Sequence, residues 1–367
     1  MRFLFLGNGN ITGALIGIIN RLGERDDWDI TVSDIKDGIC GSEIIEKYHD
    51  RYDVIVNLTD SDVFPILEKC GEYSLGYIDA GFETDADGKE YLEKYREMLR
   101  SPKKAPHLFG FGMNPGIVEL IPVLYAPDEP YIACEIDTDL AYSDGGAPEI
   151  FGTWCPGVYA DELVYASSYV LGSGGQYIPV SNGEKYGIPL AVENTKADYC
   201  VVPHEELFGF TCCGGNCRGG IFLYRGPENL QKYLISNADK EQTDIAFPPV
   251  LHDLKGKEAV GIVFYGKDGN MKYVVNRADH AEAYSSYGCN ATCFQTACGI
   301  YTAINLIGKV PKNASLCFTD AAKKYKTEIL EILGKLNFSF EVGDSPISKE
   351  EFEKKILPFF ERKGKVF

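Results

Sequence analysis

Carboxylates and one tryptophan carry most of the chemistry this sequence can do. Asp60 and Glu83 each follow an apolar run, Arg51–Thr59 and Gly76–Ala80. Such runs read as buried strands of an open parallel sheet, and loops past their carboxyl ends are where ligands bind. Trp154 and Glu162 share the stretch Phe-Gly-Thr-Trp-Cys-Pro-Gly-Val-Tyr-Ala-Asp-Glu162. An indole face attracts a cation by roughly 0.5–2 kcal/mol, so Trp154 beside carboxylates suits an alkylammonium or iminium ion. A core tryptophan beside a surface helix start is the plainer reading of the same residues. Glu135 lies in Tyr131–Thr138, a period-two strand whose alternation leaves its face open. His204, in Val-Val-Pro-His-Glu-Glu206, adjoins two carboxylates and is a candidate proton shuttle.

These groups need a frame, and the first residues supply it. Phe3–Leu6 is a short apolar run entering a glycine-rich turn, and Ala14–Leu22 has helical apolar spacing. Strand, turn and helix start form a dinucleotide-binding unit: Gly7 permits the tight turn and Gly9 admits a pyrophosphate. The amides of Asn10 and Ile11, at the helix start, face its charge. Thr12 stands where the usual pattern has a third glycine, and Gly13 follows. Asp34 lies 21 residues past Gly13, at the end of the run Ile30–Ser33. A carboxylate there accepts from both ribose hydroxyls and repels a 2′-phosphate, favouring NAD over NADP. Thr59, Asp79 and Asn114 are the matching cofactor-side positions near later strand ends.

Composition narrows the partners. With 367 residues, the chain is long enough for two domains. A net charge of −18 speaks against nucleic acid, whose phosphates need clustered Lys and Arg. No basic leader or long apolar segment opens the sequence, so we expect a cytoplasmic location and no membrane. The 12 cysteines are too scattered for a disulfide framework. The groups Cys212/Cys213/Cys217 and Cys289/Cys293/Cys298 lack the usual zinc spacing, and the second falls on an apolar helix; no metal is expected.

Alternating strands and helices to residue 127 predict a Rossmann-type, doubly wound parallel α/β sheet. From 128 to 287 the texture turns to an inserted α+β, mainly antiparallel substrate and dimerisation domain. Its strand candidates are Tyr177–Val180, Tyr199–Val202, Gly220–Tyr224 and Val260–Tyr265, the last paired with Met271–Val275 across an Asp-Gly hairpin. A long helix over 290–307 returns to the first domain, which takes in about 288–320. Two helices, 321–336 and 350–362, close the chain, the second behind a Ser348/Glu351 capping box.

Taken together, the pieces resemble the homospermidine synthases, a branch of the saccharopine dehydrogenase-like proteins. The resemblance rests on the Gly7 loop, Tyr77-Ile-Asp-Ala-Gly-Phe-Glu83, Met113-Asn-Pro-Gly116, Thr153-Trp154 with Glu162, His204-Glu205 and Asn290-Ala-Thr-Cys-Phe-Gln295. It implies NAD as cofactor, a homodimer and a diamine substrate. Putrescine is oxidised, ammonia leaves, a second diamine condenses to a Schiff base, and the same NADH reduces it. By that resemblance Asp60, Glu83, Glu135 and Glu162 form the acidic pocket. Asn114 orients the amine, Trp154 stabilises its cationic forms and His204 moves protons. Departures are Thr12 for glycine, Gly152 for asparagine, Cys293 for a small hydroxyl residue, and a chain that ends earlier than is usual for the family.

Two other readings compete. A saccharopine- or carboxyspermidine-type reductase joins an amine to an oxo acid and needs an arginine clamp, for which Arg218, Arg225 and Arg277 are available. A non-catalytic NAD(H)-binding sensor would keep the fold and bind NAD unchanged.

Overall fold

The computed structural model describes residues 1–24, 28–34, 41–192, 195–213, 215–237, 249–362 and 366–367. Six parallel strands form one sheet, in the order Ser315–Cys317, His107–Phe109, Gly76–Asp79, Val54–Asn57, Arg2–Leu6, Asp29–Ser33. Phe3 and Phe5 point to one face and Leu4 and Leu6 to the other, and all four are buried. A strand covered on both sides reads as a continuous apolar run. The helices Gly41–Tyr48, Val63–Tyr73 and Gly88–Arg100 cover the Leu4 face. Asn10–Arg21 and Ala291–Leu306 cover the other. The chain leaves Arg2–Leu6 in one direction for Asp29–Ser33 and returns on its opposite side to Val54–Asn57. That reversal opens a crevice at the carboxyl ends of the strands.

The second sheet has nine strands, built around the parallel pair Tyr131–Asp139 and Cys217–Arg225. Its other pairings are antiparallel, including the expected hairpin of Lys257–Gly266 with Met271–Asp279. Tyr131–Asp139 is buried along its whole length, so hydrophobicity cannot reveal its faces. Packing can. Ile132, Cys134 and Ile136 contact the layer that contains Phe352, Ile356, Phe359 and Phe360. Ala133 faces the first sheet's helices, and with it, by the two-residue period, go Glu135, Asp137 and Asp139.

The long helix spans Ala291–Leu306, capped by the Asn290 side chain, which accepts from the Cys293 amide at 2.9 Å. It is apolar all round because it lies between the two sheets. The closing helices differ from the sequence expectation. The stretch 321–336 is two helices, Phe318–Lys324 and Lys326–Lys335, broken at Tyr325, whose buried ring leads its hydroxyl to the Lys309 carbonyl at 3.3 Å. The stretch 350–362 breaks at Ile356, between Lys349–Lys355 and Leu357–Glu361. Pro358 has no N–H to continue the ladder there. The Ser348/Glu351 capping box is formed. A strand, Glu341–Gly343, also lies in this C-terminal stretch and joins the second sheet. No described helix is long and apolar enough to cross a membrane.

Candidate active site

A cleft of about 1030 Å³ runs from the first glycine turn to the inner face of the second sheet. At its outer end, Gly7 has φ +98°, and a Cβ there would lie 2.6 Å from the Leu58 carbonyl oxygen. A Cβ on Gly9 would meet nothing within 4 Å, so the space above the turn is open. Thr12 answers the missing glycine. Its side chain is buried and its hydroxyl donates to the Gly7 carbonyl at 2.8 Å, tying the helix to the turn. Gly13 points to open space and has no packing role. Gly7, Gly9, Asn10, Ile11, Asp34 and Thr59 all line the cleft. Thr59 is set by its hydroxyl bond to Asn57 Oδ1 at 2.7 Å.

Asp79 does not line the cleft. It is buried, and its Oδ1 accepts the Gly110 amide at 2.7 Å, so it holds the start of the loop that carries Asn114. Burial pushes its carboxyl well above the usual range.

The inner chamber is acidic. Asp60, Glu83, Asn114, Trp154, Glu162 and His204 line it. Burial, followed by the charges of Glu205 and Glu162, pushes Glu83 up to about 7. Glu205 reaches across between the sheets, accepting the Phe82 amide at 2.9 Å and the Tyr91 hydroxyl at 2.7 Å; this fixes the loop before Glu83. Trp154 is half-buried. Its indole N–H donates to the Tyr224 hydroxyl at 3.1 Å, and its ring meets Tyr159 edge-to-face at 5.8 Å. The Thr153 hydroxyl donates to Asp139 Oδ2 at 2.6 Å and its carbonyl accepts from Asn290 at 2.6 Å, so the tryptophan's backbone is gripped from both sides.

His204 sits between carboxylates, Nδ1 2.6 Å from Glu206 Oε2 and Nε2 3.4 Å from Glu162 Oε1. Burial opposes its charge, but Glu206 and Glu162 outweigh that and hold the imidazole well above its ordinary pKa. With a carboxylate facing each ring nitrogen, the site favours the protonated ring, which can donate from both.

Glu135 is fully buried and does not line the cleft. Its carboxyl oxygens meet no hydrogen-bond donor; its neighbour is the Glu206 carboxyl. Burial first, then the charge of Glu206, drive its pKa well up. Glu135 therefore reaches the site only through Glu206 and His204.

Asp137 and Glu258, which the sequence reading did not single out, do line the chamber. Antiparallel register sets Glu258 opposite Asp139, beside Asp137 on the same face. Asn114 donates to Asp137 Oδ2 at 2.7 Å, and the Thr292 hydroxyl donates to Glu258 Oε2 at 2.8 Å. Burial raises both carboxyls, and the hydrogen bond between them favours ionised Asp137 and protonated Glu258. The signal was legible: acids at 135, 137 and 139 recur with the period of one strand face.

Two triads bring possible metal-ligand atoms within 4.8 Å of one another, His204/Glu205/Glu206 and Asp139/Glu258/His280. Their histidines are already committed. Both His204 nitrogens face carboxylates. His280 Nδ1 accepts the Ala291 amide at 3.2 Å, so Nε2 carries the proton, facing Asp139 at 3.3 Å. Among the described residues no cysteine joins such a cluster. Cys289, Cys293 and Cys298 are buried thiols raised by burial.

Fold and cleft together define a class: an α/β protein with two large sheets, whose dinucleotide-type turn opens onto an acidic chamber. Two solved structures share this fold. A homospermidine synthase from Legionella pneumophila, in complex with NAD, superposes with a TM-score of 0.78 at 13% identity over 95% of this chain and 92% of that one. A saccharopine dehydrogenase (L-Glu forming) from Saccharomyces cerevisiae gives 0.59 at 10% identity over 94% and 100%. At these identities the likeness is one of fold, and it is the fold that the sequence resemblance implied. The shortening expected from sequence is not seen against the Legionella chain. No protein-family model matches the sequence, and no curated protein matches it.

Proposed function

We propose that the protein is an NAD-dependent amine-coupling enzyme of the homospermidine synthase type. One putrescine loses a hydride and then its amino group as ammonia. A second diamine condenses at that carbon, and the hydride returns to the imine. Two putrescines give homospermidine and ammonia with no net redox change.

One observation carries this reading. The cleft that begins at a dinucleotide-type turn ends among carboxylates and an indole, and no Lys or Arg lines it among the described residues. Such a lining selects cations. The reductase alternative needs a basic clamp for its oxo acid. Arg218, Arg225 and Arg277 do not line the cleft; Arg225 is 3.6 Å from Glu228, and Arg277 is paired with Glu341.

The open space over Gly9, the amides of Asn10 and Ile11, and Asp34 fit a dinucleotide with free ribose hydroxyls. NAD, held by these groups with Thr59, would take and return the hydride. The Trp154 face stabilises the cationic forms of the amine, and Glu162, Glu83 and Asp60 hold its ammonium ends. Asn114, anchored on Asp137, aims the reacting amine. Glu83, titrating near neutrality, takes the proton that frees an amine for attack, and His204 delivers one to the departing amine. Asp137 and Glu258 close the inner end against bulk water. A cytoplasmic homodimer accompanies this reading.

Purified protein incubated with putrescine and NAD, then analysed by mass spectrometry, tests it. Homospermidine with released ammonia and no accumulated NADH is expected. NADH without a coupled amine would indicate a simple amine dehydrogenase. Bound but unchanged NAD with every diamine would leave the sensor reading.

A further inference from the structure

Glu162 projects from an unusual turn. The helix Pro156–Ala160 widens into a single π-turn over Asp161–Tyr165, closed by the Ala166 amide donating to the Asp161 carbonyl at 2.7 Å. Such turns recur at functional sites and need help, because their carbonyls lose the regular ladder. Here the help comes from a buried cation. Lys185 is 0% exposed and forms no ion pair among the described residues; Nζ donates to the carbonyls of Glu162 at 3.1 Å and Ala166 at 3.2 Å. The next residue adds a third donor, the Tyr186 hydroxyl to the Leu163 carbonyl at 3.1 Å. From outside, Lys185 is held by the short helix Asn182–Lys185, whose Ser181/Glu184 capping box is pinned by Arg362.

We propose that Lys185 is a positioning residue that seats the π-turn so that Glu162 faces His204 and the cleft. A lysine buried without a carboxylate partner is costly to keep. Its site explains it: two carbonyls to which no backbone N–H outside the helix is seen to donate among the described residues. Burial lowers its pKa to about 8. The neutral amine still carries two hydrogens, enough for both carbonyls, so the clamp outlasts deprotonation. Without it, the turn can relax to ordinary helix. Each residue of helical register rotates a side chain by about 100°, which would carry Glu162 off His204.

His204 reports the result. The groups facing it are Glu162 from the π-turn, Glu205 and Glu206 from its own segment, Glu135 and Asp137 from the second sheet, and Glu83 from the first. Among these, only Glu162 lies on the segment that Lys185 holds. The Cε1–H resonance of His204, assigned with His204→Asn, is titrated by NMR in wild type, Lys185→Met, Glu162→Gln and the double variant, with circular dichroism confirming the fold.

Glu162→Gln is expected to lower the His204 pKa by about one unit, the scale of one neighbouring carboxylate. Lys185→Met should lower it similarly, and the double variant no further than Glu162→Gln alone. A folded Lys185→Met protein titrating as wild type overturns the assignment. So does an added effect of Lys185→Met in the Glu162→Gln background. Should Lys185→Met not fold, Lys185→Leu, which also removes both donors, is read the same way. The proposal deepens the role given to Glu162 above, but this readout needs no substrate. A shifted His204 in a protein inert to diamines would sustain the positioning and sink the reaction. With diamine turnover present, Lys185→Met should reduce kcat/KM as Glu162→Gln does and leave NAD affinity unchanged.

Discussion

The indole N–H of Trp154, in the loop before the helix Pro156–Ala160, donates at 3.1 Å to the hydroxyl of Tyr224 on the strand Cys217–Arg225. That bond fixes the ring's edge and leaves a face for the cleft. If the face holds a cation, Trp154→Ala should weaken diamine binding by about 2- to 30-fold, the range given by roughly 0.5–2 kcal/mol of cation–π attraction. Trp154→Phe keeps a weaker face without the hydrogen bond and should fall between. Isothermal titration with NAD should give wild-type affinity in both. Equal turnover by wild type and Trp154→Ala would remove the cation–π proposal.

Glu83 gives a pH dependence with a definite sign. Its folded pKa of about 7 stands above the ordinary 4.5, so the folded state binds its proton more tightly than the unfolded chain. The stability this contributes is complete below pH 4.5 and is lost as pH rises to about 7, at roughly 1.4 kcal/mol per unit. Glu83→Gln removes the dependence. Denaturant midpoints of the variant and wild type should coincide near pH 4.5 and separate in the variant's favour toward pH 7 and above. Diamine affinity of the wild type should rise over the same interval, because a bound ammonium favours ionised Glu83. Parallel stability curves for the two proteins would contradict this account.

Asp34 is the test of cofactor choice. A carboxylate at that place accepts from ribose hydroxyls and repels a 2′-phosphate. Asp34→Ala should lose NAD affinity, gain NADP affinity and keep its melting temperature, since Asp34 closes the strand Asp29–Ser33 rather than filling the core. Undiminished discrimination, measured by competition between the two cofactors, would mean that another group reads the ribose.

How far the sequence spoke depended on which interactions are local. The glycine turn, the Asp-Gly hairpin and the Ser348/Glu351 cap are settled within a few residues and were readable. Thr12 looked like a defect. Its hydroxyl bond to the Gly7 carbonyl is also local, but a glycine template has no place for it. Glu135 and Asp137 show the other extreme. Their period of two puts both on one face of the strand, but the strand is buried on its two sides and the sequence does not say which face meets the cleft. Only the register with Lys257–Gly266 shows that Asp137 meets Glu258 at the cleft while Glu135 lies behind Glu206. Lys185 was equally silent, because a lone lysine in a polar turn reads as surface until its two carbonyl partners are seen.

The Asp137–Glu258 pair carries the last prediction. Two buried carboxyls meet there, one bound by Asn114 and the other by Thr292, and burial with the charges of Asp139 and Asp137 favours a proton on Glu258. The raised folded pKa of Glu258 means that its contribution to stability is present at low pH and lost as pH rises above the ordinary carboxylate range. Glutamine supplies the same donor to Asp137 and the same acceptor to Thr292 without a proton to lose. Glu258→Gln should therefore melt with wild type near pH 4 and above it at pH 7. Asp137→Asn removes the charge that the donors converge on and should weaken diamine binding, even where it melts normally. A Glu258→Gln protein that melts several degrees below wild type at pH 7 would show that Glu258 is ionised in the empty site, with its partner's charge met by some other donor.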